Sequence, residues 1–343
     1  MTDINFNKIN INNINNNIND NENILQEILS ISTEEIEPKK IDEHKCAPGI
    51  TFESGSCITL PVLIEMVNAY NKVNENKIKI NTRAHTLYPK KYKKYLLKKI
   101  NDRYKNVCDG QLCWIQQDFI KHMNEFIRQE LEKYTFRPLG PEGKFEWLNT
   151  ININEVMEQY EKIHKDFKFL GAIPIDFQEI NLEGVTDINF DDYYNKNITK
   201  FGVVFNLDEH WQSGSHWVGM YSDIKKGQVY YYDSYGTPAN NRIIKFMNKF
   251  DKYYRNKFEK KCDVRHNTTR HQYENSECGV YSINFILQLL GGKKMDDIIN
   301  IKIKDKVINK LRKKIYRNVN FKSNKNDSPN SIFVEENLLA QLL

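Results

Sequence analysis

The chain has 343 residues, of which 40% are hydrophobic and 28% are charged. This composition suffices for one large or two modest folded domains and excludes a chain that is disordered or fibrous throughout. The formal charge of +5, from 50 basic and 45 acidic residues, permits contact with nucleic acid but does not by itself indicate it.

Residues 1–43 are predicted to form a disordered, asparagine-rich tail. A short amphipathic pattern from Ile24 to Ile36 predicts one helix within it, ended by Pro38. The tail has neither the basic nor the apolar region of a secretion signal. No later run reaches the roughly 20 apolar residues of a membrane-spanning helix. We therefore expect no membrane association and a cytosol-like, reducing compartment.

Residues 44–145 are predicted to form a mainly helical arm or domain. Apolar residues recur at helical spacing in three segments, which predicts helices over Leu60–Tyr70, Tyr92–Val107 and Trp114–Tyr134. The segment from Pro138 to Gly143 contains two prolines and two glycines, the strongest break in the chain. We place a domain boundary after it.

Residues 146–322 show a different pattern, in which strands and helices alternate. Two of the predicted strands are joined by a short turn that contains Gly227, which is typical of an antiparallel hairpin. The last predicted helix is almost entirely apolar and ends at Gly291-Gly292, which indicates a central buried helix. Residues 323–343 form a polar tail with a short amphipathic end. The predicted strands are Phe201–Leu207, His216–Ser222, Gln228–Asp233 and Cys262–Thr268, and the predicted helices are Pro238–Phe258 and Cys278–Leu290.

Four residues in this region have the types and the order that a thiol protease needs. Cys278 begins the apolar helix, where free N–H groups and the helix dipole favour a thiolate. His216 opens one strand of the hairpin and Asp233 ends the other, so the two side chains can meet as general base and orienting carboxylate. Gln272 lies six residues before the cysteine and could donate to an oxyanion. Each residue alone is more often structural, but packing does not explain the combination.

Three motifs carry a resemblance to a known family: His216-Trp217, Tyr232-Asp233-Ser234, and Gln272 with five residues between it and Cys278-Gly279-Val280-Tyr281. Together they resemble the Ulp/adenain class of cysteine proteases, which includes SUMO-specific proteases and adenovirus protease. The segments 206–217 and 233–236 are most similar to the core-protein maturation proteases of giant viruses, poxviruses and African swine fever virus. The region from Cys46 to Trp114 is similar to the N-terminal extension of some giant-virus members.

The resemblance implies an α+β, papain-like fold in circularly permuted order, with the cysteine on a central helix packed against a mixed sheet. It implies Cys278 as nucleophile, His216 as base, Asp233 as orienter and Gln272 as oxyanion donor, with no cofactor and no catalytic metal. It further implies cleavage of viral capsid or core precursors after small residues, at sites of the Gly-Gly or Ala-Gly type. A virion and host-cytoplasmic location follows, or a cytoplasmic and nuclear one for a deconjugating enzyme.

Several alternatives remain open on the sequence alone. His210 precedes a second tryptophan, Trp211, and rivals His216 as base, although it falls in a polar loop. Asp223 rivals Asp233 but falls at the far end of the hairpin. Either Trp217 or Trp211 could roof a narrow groove that admits only glycine. The substrate could instead be SUMO or another ubiquitin-like protein. An acetyltransferase with the same residues and a catalytically silent scaffold are further interpretations.

Two other features have sharper and plainer interpretations. Cys46, Cys57, Cys108 and Cys113 could bind structural zinc, but their spacing lacks the tight pairs of a zinc knuckle, so buried thiols are favoured. The lysine-rich stretches 90–99 and 302–314 are typical of solvated helix faces. Weak contact with nucleic acid is the alternative, because adenovirus protease uses DNA as a partner.

Overall fold

A computed structural model describes residues 22–35, 37–143 and 146–319 of the chain. The chain divides into two compact units between Arg137 and Pro138. The predicted C-terminal tail, 323–343, and the first 21 residues of the predicted N-terminal tail lie outside the described residues. No helix in the described ranges is both long and apolar enough to cross a bilayer.

The first unit is helical and has its own apolar core. Ile28, Leu63 and Leu96 are fully buried in this core, so the short helix predicted within the N-terminal tail packs as part of the unit. The helices are α1 (residues 22–30), α2 (Leu60–Val73), α3 (Thr82–Leu87), α4 (Pro89–Tyr104), α5 (Gln111–Trp114) and α6 (Glu125–Tyr134), with 3₁₀ turns at Ile41–His44 and Asp118–His122.

The prediction of one continuous helix over Trp114–Tyr134 is wrong. Extended backbone at Gln117 and Met123 separates α5, a 3₁₀ turn and α6. Asn124 then caps α6, because its side-chain oxygen accepts the N–H of Phe126 at 3.0 Å. An asparagine cap satisfies N–H groups that the first turn leaves free, and so a new helix starts where the apolar spacing had suggested continuity.

The four cysteines of the first unit form two disulfides, which corrects the expectation of free thiols or a zinc site. Cys46 pairs with Cys57 and Cys108 pairs with Cys113, with Cα atoms 5.3 and 5.4 Å apart. These separations lie within the range of ordinary disulfides. The spacing of the cysteines within each pair argued against a zinc site. It instead gives a loop short enough for a disulfide to close.

The second unit is built around a five-stranded mixed sheet in the order β1-β2-β3-β4-β5. The β1–β2 and β4–β5 pairs are parallel, whereas β2–β3 and the predicted hairpin β3–β4 are antiparallel. The strands are β1 (Phe167–Pro174), β2 (Lys200–Asn206), β3 (Trp217–Asp223), β4 (Gln228–Tyr232) and β5 (Asp263–His266). The helices are α7 (Thr150–Ile163), α8 (Phe190–Asn195), α9 (Asn241–Phe258), α10 (Cys278–Leu290), α11 (Met295–Asn300), α12 (Asp305–Lys310) and α13 (Arg312–Ile315).

The two faces of the sheet bury alternate side chains, as a period of two requires. On one face Tyr232 stacks on Phe285 of α10, with ring centroids 5.0 Å apart. On the other face Tyr231 belongs to the cluster that contains Phe246 and Phe250 of α9. All thirteen residues of α10 are buried, so the predicted central helix is confirmed. The predicted α+β fold with this helix on a mixed sheet is confirmed as well.

Candidate active site

His216 and Asp233 meet at one edge of the sheet, just outside the paired strands. Tyr232 ends β4 and Trp217 begins β3, and the register pairs Gly219 with Tyr232. Continuing this register sets residue 216 opposite residue 235, and the rings of His216 and Tyr235 stack with centroids 4.5 Å apart. His216 Nε2 and Asp233 Oδ1 are 2.7 Å apart. The antiparallel hairpin thus brings the predicted base and carboxylate together.

Hydrogen bonds to both the backbone and the carboxylate hold Asp233 in place. Asn267 bonds to both backbone groups of Asp233, accepting its N–H at 2.9 Å and donating to its carbonyl at 2.6 Å. Oδ1 also accepts the N–H of Tyr235 at 2.8 Å. Only 1% of Asp233 is exposed. A buried carboxylate with these bonds can orient an imidazole and stabilise its charged form.

Cys278 is the first residue of α10 and is buried. The first hydrogen bond within the helix runs from the N–H of Tyr281 to the carbonyl of Glu277. The N–H groups before it in the first turn have no partner within the helix, so they can stabilise negative charge at this end. His216 also interacts with the Cys278 side chain. Burial alone would lower the pKa of His216, but the bond to Asp233 and the interaction with Cys278 raise it to about 9. This environment favours the imidazolium form of His216 beside Cys278.

Gln272 lies in the loop that leads into α10, and it is fully buried. Its Oε1 accepts the hydroxyl of Ser234 at 2.6 Å, and its Nε2 donates to the carbonyl of Glu274 at 2.7 Å. The backbone N–H of Gln272 also bonds to the carbonyl of Ser234. These contacts use one of the two N–H bonds of the amide, and the other can point to an oxyanion.

A cleft of about 360 Å³ reaches Trp217, the residue after His216, and its lining also includes Trp147 and Gly214. Leu148, which also lines it, packs on Gly279: a Cβ added there would lie 3.1 Å from Leu148 Cβ. The indole N–H of Trp217 donates to the Leu148 carbonyl at 2.8 Å. Leu148 thus joins the lining of the cleft to the start of α10, and Trp217 joins it to His216.

The two tryptophans predicted for a substrate groove differ in their environment. Trp217 is 5% exposed and forms one wall of the cleft. Trp211 is 69% exposed, and its indole N–H donates to Glu209. Trp147, which no sequence pattern singled out, is 46% exposed and lines the cleft. Trp147 comes just before Leu148 and Asn149, the residue that caps α7. It therefore belongs to no helical or strand pattern from which the sequence could have identified it.

His210, the rival base, forms a separate pair with Asp176. Its Nδ1 lies 2.6 Å from Asp176 Oδ2, and its backbone N–H donates to Asp176 Oδ1 at 2.9 Å. The imidazole is 53% exposed. The structure therefore places His216, and not His210, with Asp233. Asp223 ends β3 at the opposite end of the hairpin, where its carboxylate accepts the N–H groups of Lys225 and Lys226.

Arg312 is a buried residue near Cys278 that no sequence pattern singled out. It is fully buried, and its Nη2 donates to the carbonyl of Ser276 at 2.8 Å. Burial lowers the pKa of Arg312, and this effect is opposed by Tyr316, Glu277 and Cys278. A buried cation that bonds to the backbone two residues before Cys278 adds to the positive potential around the thiol.

Comparisons with known proteins find similar sequences. The model of the Ulp1 protease family C-terminal catalytic domain matches residues 202–324. The R355 protein of Acanthamoeba polyphaga mimivirus, whose name describes a thiol protease, is 34% identical over 273 residues, which cover 78% of this chain and 90% of that protein. A SUMO-1 cysteine protease of African swine fever virus is 22% identical over 254 residues, which cover 69% of this chain and 93% of that protein.

A solved structure is similar as well. The crystal structure of the African swine fever virus protease aligns with a TM-score of 0.53 at 20% identity, covering 80% of this chain and 96% of that one. This likeness concerns the fold, and it confirms the predicted papain-like arrangement. The resemblance drawn from the sequence motifs is confirmed by the family model and the relatives.

Proposed function

We propose a substrate and a role for this chain, which belongs to the Ulp1 protease family and is a cysteine endopeptidase. The chain matures capsid or core precursors of a large DNA virus by cutting after small residues, at Gly-Gly or Ala-Gly type sites. It acts in virions and at assembly sites in the host cytoplasm. The observation that carries the proposal is the His216–Asp233 pair beside Cys278, next to a cleft lined by Trp147 and Trp217.

The arrangement supports a two-step reaction through a thioester. The Cys278 thiolate attacks the scissile carbonyl carbon, and the negative charge moves to the carbonyl oxygen, where the Cys278 N–H and the Gln272 amide stabilise it. The His216 imidazolium then protonates the leaving amine as the C–N bond breaks. Water adds to the thioester after losing a proton to His216. The thiolate leaves, and the second product is a carboxylic acid.

The shape of the cleft supports the preference for small residues. Trp147 and Trp217 supply aromatic surface to the cleft, and Leu148 packs on Gly279 beside the nucleophile. A substrate residue without a side chain can pass between such walls where a larger one collides with them. Trp147→Ala should therefore weaken the discrimination between glycine and larger residues, whereas Trp211→Ala, which changes a largely exposed side chain outside the cleft lining, should not.

A second candidate substrate is a conjugate of SUMO or another ubiquitin-like protein. The name of the African swine fever virus relative, SUMO-1 cysteine protease, favours testing it. These modifiers end in two glycines, so the same cleft would accept them. In that case the enzyme would act in the cytoplasm and nucleus.

Weak contact with nucleic acid is part of the proposal for the second lysine-rich stretch only. Lys302, Lys304 and Lys306 are exposed. In the first stretch Lys93 is buried, and its ammonium donates to the carbonyls of Glu53 and Ser56 at 2.6 and 2.9 Å. Activation of cleavage by DNA at low salt, lost at high salt, would support this contact. No activation at low salt would remove it.

Two experiments test the proposed function. In the first, wild type and Cys278→Ala are treated with a peptide vinyl sulfone ending in Gly-Gly and analysed by intact-mass spectrometry. One adduct on wild type and none on the variant is expected. In the second, viral core precursors and a panel of ubiquitin-like fusions are offered to the enzyme. Cleavage of precursors alone supports maturation, and cleavage of fusions alone moves the assignment to deconjugation.

A further inference from the structure

One carboxylate, that of Asp305, connects the loop that carries Gln272 to the helix that carries Cys278. Asp305 is the first residue of α12. Its Oδ2 accepts two consecutive backbone N–H groups, from Tyr273 at 2.8 Å and Glu274 at 3.1 Å. Its Oδ1 lies 3.2 Å from the hydroxyl of Tyr281, one turn along α10 from the nucleophile. A charged acceptor with these partners makes strong hydrogen bonds.

The loop side of this connection controls the Gln272 amide. Gln272 Nε2 donates to the carbonyl of Glu274 at 2.7 Å. Asp305 bonds to the N–H groups of Tyr273 and Glu274, which belong to the two peptide groups before that carbonyl, so these bonds restrict where the Glu274 carbonyl can point. Since the other end of the amide is held by Ser234, a shift of the Glu274 carbonyl would rotate the amide about a fixed point.

The helix side controls the distance to the nucleophile. Tyr281 is 1% exposed, and its hydroxyl also lies 2.7 Å from the carbonyl of Ile303 and 3.3 Å from that of His271. The segment before α12, the loop before Gln272 and α10 thus meet at one phenol. The hydroxyl thus has two neutral carbonyls and the negatively charged carboxylate of Asp305 as neighbouring acceptors. The same carboxylate also accepts the two N–H groups of the loop.

We propose that Asp305 is a positioning residue, which holds the Gln272 amide at the place where the oxyanion forms beside the Cys278 N–H. This proposal rests on the proposed function, since it assumes that Gln272 is an oxyanion donor. Asp305 itself does not touch the reacting atoms. An oxyanion donor must lie about 2.7–3.1 Å from the developing charge, and a displacement of about 1 Å can cost about 100-fold in rate.

Asp305→Ala should lower kcat by about 10- to 100-fold and leave KM within about threefold, because the donor acts in the transition state. The rate at which iodoacetamide alkylates Cys278 should stay within about twofold of wild type at each pH, since His216 and Asp233 are untouched. Asp305→Asn keeps one acceptor oxygen and should fall between wild type and the alanine variant. Asp297→Ala is the matched control, an exposed acid in the first turn of another six-residue helix.

The decisive measurement is a double-mutant cycle with Gln272→Ala. If Asp305 acts through Gln272, the double variant should be no slower than Gln272→Ala alone. Effects on kcat that multiply would overturn the proposal. It would also be overturned if Asp305→Ala slowed alkylation as much as turnover, because the loss would then be general. If Asp305→Ala does not fold by circular dichroism, Asp305→Asn, which preserves the side-chain shape, carries the same cycle.

Two substrates separate this proposal from the proposed function. One is a peptide amide ending in Gly-Gly, and the other is p-nitrophenyl acetate, which also forms an oxyanion but needs no peptide cleft. Turnover of the ester alone would reject the Gly-Gly preference while the cycle still tests Asp305. If both substrates are turned over and the effects of the two substitutions on kcat multiply, the role proposed for Asp305 is rejected and the proposed function stands. A wild type that reacts with iodoacetamide but turns over neither substrate would refute both.

Discussion

The proton on His216 sets the pH at which the enzyme should lose activity on the alkaline side. Burial opposes that proton, but the bond to Asp233 and the interaction with Cys278 raise the pKa of His216 to about 9, from an ordinary value of 6.5. This rise corresponds to roughly 3 kcal/mol in favour of the imidazolium, at about 1.4 kcal/mol for each tenfold change in the equilibrium. The bond to Asp233 and the interaction with Cys278 together provide this stabilisation.

The direction of the pH effect follows from the raised pKa. The stabilisation of the protonated ring is complete below about pH 6.5 and is lost as the pH rises through about 9. Above that pH the ring has no proton to give to the leaving amine. We therefore expect kcat/KM to fall with an apparent pKa near 9.

Asp233→Asn tests the cause of this alkaline limit. An amide oxygen can still accept from Nε2 and orient the ring, so some activity should remain. It lacks the charge, and the bond to Asp233 is the largest of the interactions that raise the pKa of His216. We expect the limit to move at least about one pH unit lower, and kcat to fall by up to about 10⁴-fold.

The assay is the pH dependence of kcat/KM on a Gly-Gly peptide, together with that of Cys278 alkylation. Asp176→Asn is the control, because it makes the same change in the His210–Asp176 pair. Its alkaline limit should match wild type. An unmoved limit in Asp233→Asn, or an equal movement in both variants, would refute the assignment of the limit to His216.

Three further predictions concern separate parts of the chain. His216→Ala should abolish turnover without unfolding, whereas His210→Ala should keep measurable turnover; the reverse result would reassign the base. Trp147→Ala should raise KM for a Gly-Gly peptide by about 3- to 10-fold, as expected for loss of one aromatic contact, and an unchanged KM would remove it from the groove. Replacing Cys46 and Cys57 with serine should lower unfolding stability by about 2–3 kcal/mol in urea, because the bridge closes a short loop; no loss would mean that the bridge does not restrict the unfolded chain.

The central parts of the site could be predicted because they depend on short-range patterns. The helix Cys278–Leu290 has the predicted bounds, since the apolar run began just after the charged Glu277 and ended at two glycines. The hairpin followed from alternating strands around Gly227, which has a φ of +67°, a value that glycine adopts readily. The positions of His216 and Asp233 then follow from strand pairing.

The remaining parts could not be predicted because they depend on contacts between distant residues. Asp305 lies 32 residues from Tyr273, with which it bonds, and no local period marks an acid at the start of a short helix. Trp147 lies 69 residues before His216 in the sequence and reaches the site only because Leu148 packs on Gly279. The disulfides were missed for another reason: spacing does not decide between metal binding, pairing and burial.

The proposed base and nucleophile differ from the proposed oxyanion donor in how firmly the fold holds them. His216 and Asp233 adjoin paired strands, and Cys278 begins a buried helix, so their geometry is a property of the sheet and the core. Gln272 lies in a loop without regular structure, and its position depends on Ser234, the Glu274 carbonyl and, through it, Asp305. Substitutions around this loop should therefore reduce turnover while leaving the thiol reactive. Loss of thiol reactivity should instead accompany damage to the hairpin or to the start of α10.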